Sequence, residues 1–296
     1  MFQLKRVTEQ AILSPIPQHE WEKTAVFNTG AIAENGLVHL LYRATDNVCD
    51  GKHGEYTSSI GYAVSRNGVD FSRLDLPVMV GEGAQESWGV EDPRITKIDD
   101  TFYMVYTGYG ARFKGDFRMS LATSKNLLTW ENRRVLLDEP NKDGALFSRK
   151  VNGKYLLLHR RMPAIWLCES ENLYDFDNHK VIMEPIPNSW ESEKIGAAGP
   201  PIEREDSWLL FYHAVDRHKV YRLGAALLDK QDPSKVLARL KEPIFEPELT
   251  WEKEGCVPNV VFSGGQVELN DTYYVYYGGA DTAIGVAAIA KKDVVF

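Results

Sequence analysis

An all-β fold, a five-bladed β-propeller, is the architecture that this 296-residue sequence predicts. Three observations carry it. Five segments share one form, a polar turn leading into an apolar, aromatic-rich strand, and their starts lie 65, 52, 54 and 65 residues apart, a blade-sized period. Each has a strand rich in small residues before it and a third apolar strand after it. Helical periodicity between them is weak, so the repeat is a strand meander that closes on itself.

The five aromatic strands occupy residues 35–43, 100–108, 152–160, 206–213 and 271–278. They open on turn pairs such as Asn35-Gly36, Asp99-Asp100 and Asn152-Gly153, residues that accept the positive φ of a tight hairpin. The strands before them are expected at 28–32, 91–96, 143–148, 199–203 and 263–269, and those after them at 59–65, 118–124, 164–170, 221–228 and 283–288. Phe102, Tyr155, Phe211 and Tyr274 are expected to pack between blades. Residues 1–14 fall outside the repeats and are expected to add the outer strand of the last blade, closing the ring. Proline-containing stretches at 15–17, 185–187 and 243–247 read as connections. No low-complexity linker interrupts the chain, so residues 1–296 read as one domain.

A composition of 44% hydrophobic and 26% charged residues suits a chain that buries a large core. The net charge of −8 and the lack of a basic run exclude a general nucleic-acid binder, while leaving small anions open as ligands. No apolar run at the N-terminus resembles a signal peptide and none elsewhere reaches membrane-spanning length, which predicts a cytoplasmic protein with no membrane partner. Cys49, Cys168 and Cys256 are odd in number and widely spaced, and are expected to be buried free thiols. Carboxylates and histidines show no short-range ligand spacing, so no metal is expected. A homo-oligomer is compatible with the sequence.

Hairpin geometry locates a site. An antiparallel turn returns the chain to where it began, so the start of each first strand and the end of each second strand share one face of the disc. That face collects Asn28, Glu91, Asp92, Lys142 and Asp143 from the first strands, and Arg43, Asp46, Tyr109, His159, Arg160, His213 and Asp281 from the second-strand ends. Lys194 lies just before the fourth blade. Such a convergence at the mouth of a central channel is the default place for a polar ligand. Solvated loop charges are the bland alternative, and His159 and His213 could equally be strand residues bonded to backbone.

Glycosyl transfer to water with inversion needs an acid and a second carboxylate as base. Transfer to phosphate needs the acid and cations that hold the anion against the sugar. Arg160, Lys194, His213 and Arg149 suit the second demand better.

The motifs Gly-Val-Glu-Asp-Pro-Arg-Ile-Thr (89–96), Lys-Asp-Gly-Ala-Leu-Phe (142–147), Asn-Gly-Lys-Tyr-Leu-Leu-Leu-His-Arg (152–160), Lys-Ile-Gly-Ala-Ala-Gly-Pro-Pro-Ile (194–202), Tyr-Arg-Leu-Gly-Ala-Ala-Leu-Leu-Asp (221–229) and Tyr-Tyr-Gly-Gly-Ala-Asp-Thr (276–282) resemble those of glycoside hydrolase family 130 over almost the whole chain. That family consists of five-bladed propellers, mostly inverting phosphorylases of β-mannosides with some β-1,2-mannosidases. The resemblance implies that Asp92 is the general acid, its proton reaching the glycosidic oxygen through the 3-hydroxyl of the mannosyl unit. Phosphate would then attack the anomeric carbon and release α-D-mannose 1-phosphate, with inorganic phosphate as co-substrate and no cofactor. Asn28, Arg43 and Asp281 match positions that hold the mannosyl unit, and Glu91, Arg94, Lys142, Asp143 and His159 are expected beside them. Arg160, Lys194, His213, Tyr221 and Arg149 match phosphate-binding positions. One departure is Arg161, where the family usually has proline.

The compact length and the opening from Ser14-Pro15 through Glu20-Trp21-Glu22 to Asn28 look most like the short members acting on β-1,2-mannobiose and β-1,2-oligomannan, with β-1,4-mannosides as the alternative. Two rival functions stand beside phosphorolysis. One is a hydrolase with Glu191 or Glu193 as base for water, and the other a sugar-binding propeller without catalysis.

Overall fold

The computed structural model describes residues 2–47 and 56–296. Five antiparallel sheets follow one another along the chain, each a meander from its innermost to its outermost strand. The first blade is Ala25–Glu34, Leu37–Thr45, Ser58–Ser65 and Ser72–Arg73, and the second is Val90–Ile98, Thr101–Tyr109, Phe117–Ser124 and Glu131–Pro140. Lys142–Leu146, Tyr155–Arg161, Ala164–Ser170 and Asp177–Met183 make the third. The fourth is Lys194–Ala197, Ser207–Val215, Tyr221–Asp229 and Val236–Arg239, with the short Ile202–Glu203 also on Ser207–Val215. Val261–Leu269, Thr272–Gly279 and Ala283–Ala290 form the fifth. Its outer strand is Lys5–Arg6 from the N-terminus, with Arg6 opposite Ala287, so the expected closure by the first residues holds.

One expectation is corrected in the fourth blade. Its first strand is Lys194–Ala197, ahead of the expected 199–203. Pro200 and Pro201 have no N–H to give to a ladder, so pairing stops before them and resumes only at Ile202 opposite Leu209.

Five apolar clusters lie one in each gap between neighbouring blades. Leu41, Ile60, Val90 and Met104 fill the gap between the first and second blades, and Val26, Leu40, Val267 and Ile284 the gap between the fifth and first. Phe102, Tyr155, Phe211 and Tyr274 all pack in such gaps, as expected. Burial of this kind on both faces of every sheet explains why the strands read as near-continuous apolar runs.

A second repeat is ionic. In four blades a buried glutamate upstream of the first strand accepts from a tyrosine of the second strand and an arginine of the outer strand. Tyr42 Oη and Arg73 Nη1 each lie 2.9 Å from Glu22 Oε2. Tyr106 bonds Glu86 at 2.6 Å, beside Arg133. Tyr212 and Arg239 meet Glu191 at 2.9 and 2.5 Å, and Tyr277 and Arg6 meet Glu252 at 2.8 and 2.6 Å. Trp21, Trp190 and Trp251 stack on three of these tyrosines. Each buried carboxylate thus meets a cation and a hydroxyl, which pin the segment that leads to the site face against its blade.

Cys168 is a buried free thiol, as expected. Cys256 is disulfide-bonded, which corrects the free-thiol expectation for it. Ring closure sets Cys256 against Ala25, Phe27 and Tyr56 of the first blade, a proximity that sequence spacing does not reveal. The expectation for Cys49 falls outside the described residues. Among the described residues no helix is long and apolar enough to cross a membrane.

Candidate active site

Backbone bulges aim the site. In the first strands of the first three blades the pairing register shifts between Phe27 and Gly30, between Glu91 and Arg94, and between Lys142 and Ala145. Asn28, Asp92 and Asp143 sit in those bulges with φ of 46°, 50° and 60°. Asn and Asp tolerate this left-handed conformation better than other residues with a Cβ, and a bulge turns a side chain out of the regular alternation. Just before each bulge, Phe27 lies opposite Arg43, Glu91 opposite Thr107 and Lys142 opposite Arg160. The corresponding pairs in the last two blades are Gly196 with His213 and Phe262 with Gly278. Gly196 is needed there because a Cβ would overlap both Asp143 Oδ2 and His213 Nε2.

These positions surround a cavity of about 230 Å³. Of the expected residues, Asn28, Arg43, Asp92, Lys142, Asp143, Arg160, Lys194, Tyr221 and Asp281 line it. Asp92 is buried, and its Oδ1 accepts from Asn28 Nδ2 at 3.0 Å and Arg43 Nη1 at 3.3 Å. Burial raises its pKa, but Arg43, Lys142 and Arg94 together outweigh that and hold the carboxyl below its ordinary value. Asp281 behaves oppositely. Burial, opposed by Arg43 and reinforced by Asp92, pushes it up to about 7. Two carboxyl groups on one cavity are therefore driven apart, Asp92 towards its ionised form and Asp281 towards its protonated form.

Glu91 and Asp143 organise the cations. Glu91 accepts from Arg43 Nη2 at 2.7 Å and from Lys142 Nζ at 2.7 Å. Asp143 Oδ1 accepts from Arg94 Nη2 at 3.0 Å, and its Oδ2 lies 2.7 Å from Arg160 Nη1 and 3.2 Å from His213 Nε2. Burial raises the Asp143 pKa, yet Arg160, His213 and Arg94 hold it well below the carboxylate range. Lys194 Nζ sits 5.1 Å over the Tyr221 ring, and burial with repulsion from Arg160 pushes it down to about 8. Lys142, Arg160 and Lys194 thus line one cavity with Asp92; Lys142 is paired with Glu91 and Arg160 with Asp143, while Lys194 has no ion pair among the described residues. An anion completes such a set. The buried Asn28 Oδ1 has no hydrogen-bond partner, an acceptor available to a ligand hydroxyl.

The remaining expected residues lie elsewhere. Glu91 and Arg94 are buried behind the cavity, where Arg94 also donates to the carbonyls of Ala198 and Asp92. His213 is fully buried behind Asp143, and burial pushes it down to about 4, so it is a neutral support for Asp143 and not part of the cavity wall. His159 is buried in the third blade against Asn141 and His179. Arg149 corrects the phosphate-site expectation most clearly. It is half-exposed on the third blade, where its Nε donates to Glu203 at 2.9 Å and its guanidinium covers Trp208. Phe27, Tyr56, Val257 and Phe262 line the cavity and were not foreseen. Phe27 and Phe262 occupy equivalent register positions, so counting along the repeat could have found them; Tyr56 carries no such signal.

Among the described residues one group could offer three metal ligands, His159, Cys168 and His179, with atoms within 4.8 Å of one another. Its hydrogen bonds use the lone pairs. Asn141 Nδ2 donates to Glu139 and to His159 Nδ1, and the other nitrogen of His159, left with the proton, donates to His179 Nδ1 at 2.9 Å. The arrangement fits a hydrogen-bonded chain better than a metal centre.

The glycoside hydrolase family 130 model, described as beta-1,4-mannooligosaccharide phosphorylase, matches residues 4–295. A 1,2-beta-oligomannan phosphorylase of Thermoanaerobacter sp. (strain X514) is 59% identical over 100% of both chains. A beta-1,2-mannobiose phosphorylase of the same organism is 60% identical, again over 100% of both. The beta-1,2-mannobiose phosphorylase of Listeria innocua, solved with beta-1,2-mannobiose, superposes with a TM-score of 0.88 at 28% identity, covering 98% of each chain. A family match over nearly the whole chain, with relatives near 60% identity end to end, makes this chain a member of glycoside hydrolase family 130.

Proposed function

We propose that this protein is an inverting phosphorylase that cleaves β-1,2-mannobiose or β-1,2-oligomannan with inorganic phosphate, reversibly, to α-D-mannose 1-phosphate, and that residues 1–296 act as one catalytic unit. One observation carries the reading. A buried carboxyl, Asp92, lines a single small cavity together with three cations, Lys142, Arg160 and Lys194. Hydrolysis would need a second carboxylate free to activate water. Asp143 is engaged by Arg94 and Arg160, and Glu191 lies in a blade support with Tyr212 and Arg239. Glu193 lies 3.6 Å from Lys219 and does not line the cavity, and Asp281, the remaining cavity carboxyl, is assigned to the mannosyl unit.

In this reading Asn28, Arg43 and Asp281 hold the mannosyl unit, and phosphate binds between Arg160, Lys194 and Tyr221, with Lys142 nearby. The proton that rests on Asp281 in the free protein must first move to Asp92; Asp92 then gives it to the 3-hydroxyl, whose own proton goes to the glycosidic oxygen. The bond from the anomeric carbon to that oxygen breaks as a phosphate oxygen attacks from the opposite face. Phosphate is the co-substrate and no cofactor takes part. The β-1,2 linkage is favoured because the relatives near 60% identity are named for it, although the family description carries the β-1,4 name.

The test is incubation with β-1,2-mannobiose, β-1,4-mannobiose and mannosylglucose, with and without phosphate, and assay of mannose 1-phosphate. Phosphate-dependent release from β-1,2-mannobiose is expected. Equal release of free mannose without phosphate would overturn the reading.

A further inference from the structure

The third blade breaks the ionic repeat. At the register position of Tyr42, Tyr106, Tyr212 and Tyr277 it has His159, opposite Trp166 where three of the other blades have Gly61, Gly224 and Gly285. The outer-strand arginine is replaced by His179, and the partner of the His159 ring is Asn141, the residue just before the first strand, in the role that the upstream glutamate has elsewhere. Three partners have changed together, and a charged support has become a chain of neutral groups.

Chemistry fixes its direction. Glu139 Oε1, held by Arg161 Nε at 2.7 Å, can only accept, so Asn141 turns its Nδ2 towards it at 3.0 Å. The Arg160 N–H can only donate, so Asn141 Oδ1 receives it at 3.2 Å. Asn141 Nδ2 then gives its second proton to His159 Nδ1 at 3.0 Å, and His159 passes its own to His179. Asn141 is fully buried, every polar atom of its amide is used, and it is the residue before Lys142. One amide therefore ties the backbone of Arg160 to the segment that carries Lys142, its partner across the ladder. In the other blades the glutamate reaches side chains of its own blade and, at Glu86 and Glu252, backbone N–H groups of its own approach segment, whereas here the support ends on the backbone of a cavity cation.

We infer that Asn141, itself held by His159 and His179, is a positioning residue that sets Arg160 and Lys142 for the phosphate co-substrate. The inference rests on the phosphorolytic reading above. A bond to backbone carries orientation with little direct effect on the sugar, so its loss should weaken phosphate selectively.

The experiment compares the full-length protein with Asn141→Ala, His159→Phe, His159→Gln and Arg160→Ala. It measures KM for phosphate, KM for β-1,2-mannobiose and kcat, with thermal unfolding as the check on folding. Asn141→Ala and His159→Phe should raise the phosphate KM about tenfold while the mannobiose KM stays within about twofold. His159→Gln, whose amide can accept from Asn141 and donate to His179, should recover most of the wild-type phosphate KM. Arg160→Ala separates the two claims. If it raises the phosphate KM and Asn141→Ala does not, the positioning role is wrong; if it leaves the phosphate KM unchanged, the phosphate-site reading itself fails. A parallel rise in both KM values, or no recovery by His159→Gln, also overturns the inference, because a purely structural support would act that way.

Discussion

Replacing Lys194 by Met should make the ligand-free protein more stable while crippling its use of phosphate. The half-buried Lys194 ammonium lies among Arg160, Lys142 and Lys219, with Asp143 as its attractive neighbour, and burial with repulsion from Arg160 lowers it to about 8 from 10.5. That gap corresponds to roughly 3 kcal/mol of strain on the charged form. Screening at the open cavity mouth reduces the recoverable part to about 1–2 kcal/mol. Met keeps an apolar stem over the Tyr221 ring, so packing is conserved. Scanning calorimetry at pH 7 in phosphate-free buffer should show a Tm higher by about 2–5 °C. The sign with pH follows from linkage. A lysine depressed on folding binds more protons when unfolded between about 8 and 10.5, so the advantage of the variant is full below pH 8 and fades towards pH 10.5. Phosphate should raise the wild-type Tm and have little effect on the variant, whose phosphate KM should rise more than about tenfold. A lower Tm for the variant in the absence of phosphate would refute the account of Lys194 as a desolvated cation awaiting an anion. So would a higher Tm with an unchanged phosphate KM.

Asp92→Asn should keep the fold by circular dichroism and lower kcat by about 10²–10⁴-fold, measured as mannose 1-phosphate released. Because the Asp92 and Asp281 pair must carry a proton, kcat/KM should be high below about pH 7 and fall as pH rises through it; Asp281→Asn should abolish or displace that limb. Glu191→Ala leaves Arg239 without its carboxylate and the Tyr212 hydroxyl without its acceptor, and should cost about 3 kcal/mol in urea unfolding. Arg149→Ala should leave the phosphate KM within about twofold of wild type, since Arg149 pairs with Glu203 away from the cavity; a large rise would restore it to the phosphate site.

Turn chemistry and apolar runs made the blades legible without coordinates. A pair such as Asn152-Gly153 enforces a hairpin locally, and Tyr155–Arg161 must then run back along its partner whatever else the chain does. The same local logic placed Asn28, Arg43, Asp92, Lys142, Asp143, Arg160 and Asp281 on one face, because strand ends follow from strand order. It failed where proline interrupts pairing, at Pro200 and Pro201, although the missing N–H groups were visible in the sequence.

Other features depend on contacts between distant segments, which no periodicity encodes. A register bulge decides that Asp92 and Asp143 point inward, and the Asp143 clamp with Arg94, Arg160 and His213 spans three blades. Arg149 and Arg160 are eleven positions apart and both basic, yet one meets Glu203 on the outside and the other meets Asp143 at the cavity. His159 reads as a ligand contact because it lies at the end of a second strand, but strand alternation turns it into the blade, where Asn141 and His179 take both nitrogens. The opposite pKa shifts of Asp92 and Asp281 are likewise a product of assembly, since both are buried beside Arg43 and Lys142 but Asp92 is also lowered by Arg94 and Asn28 while Asp281 is raised by Asp92. The sequence by itself determined the blades, their order and the face they present. Only the tertiary structure decided which charges meet there, because a local rule can aim a strand end but cannot choose its partner across the ring.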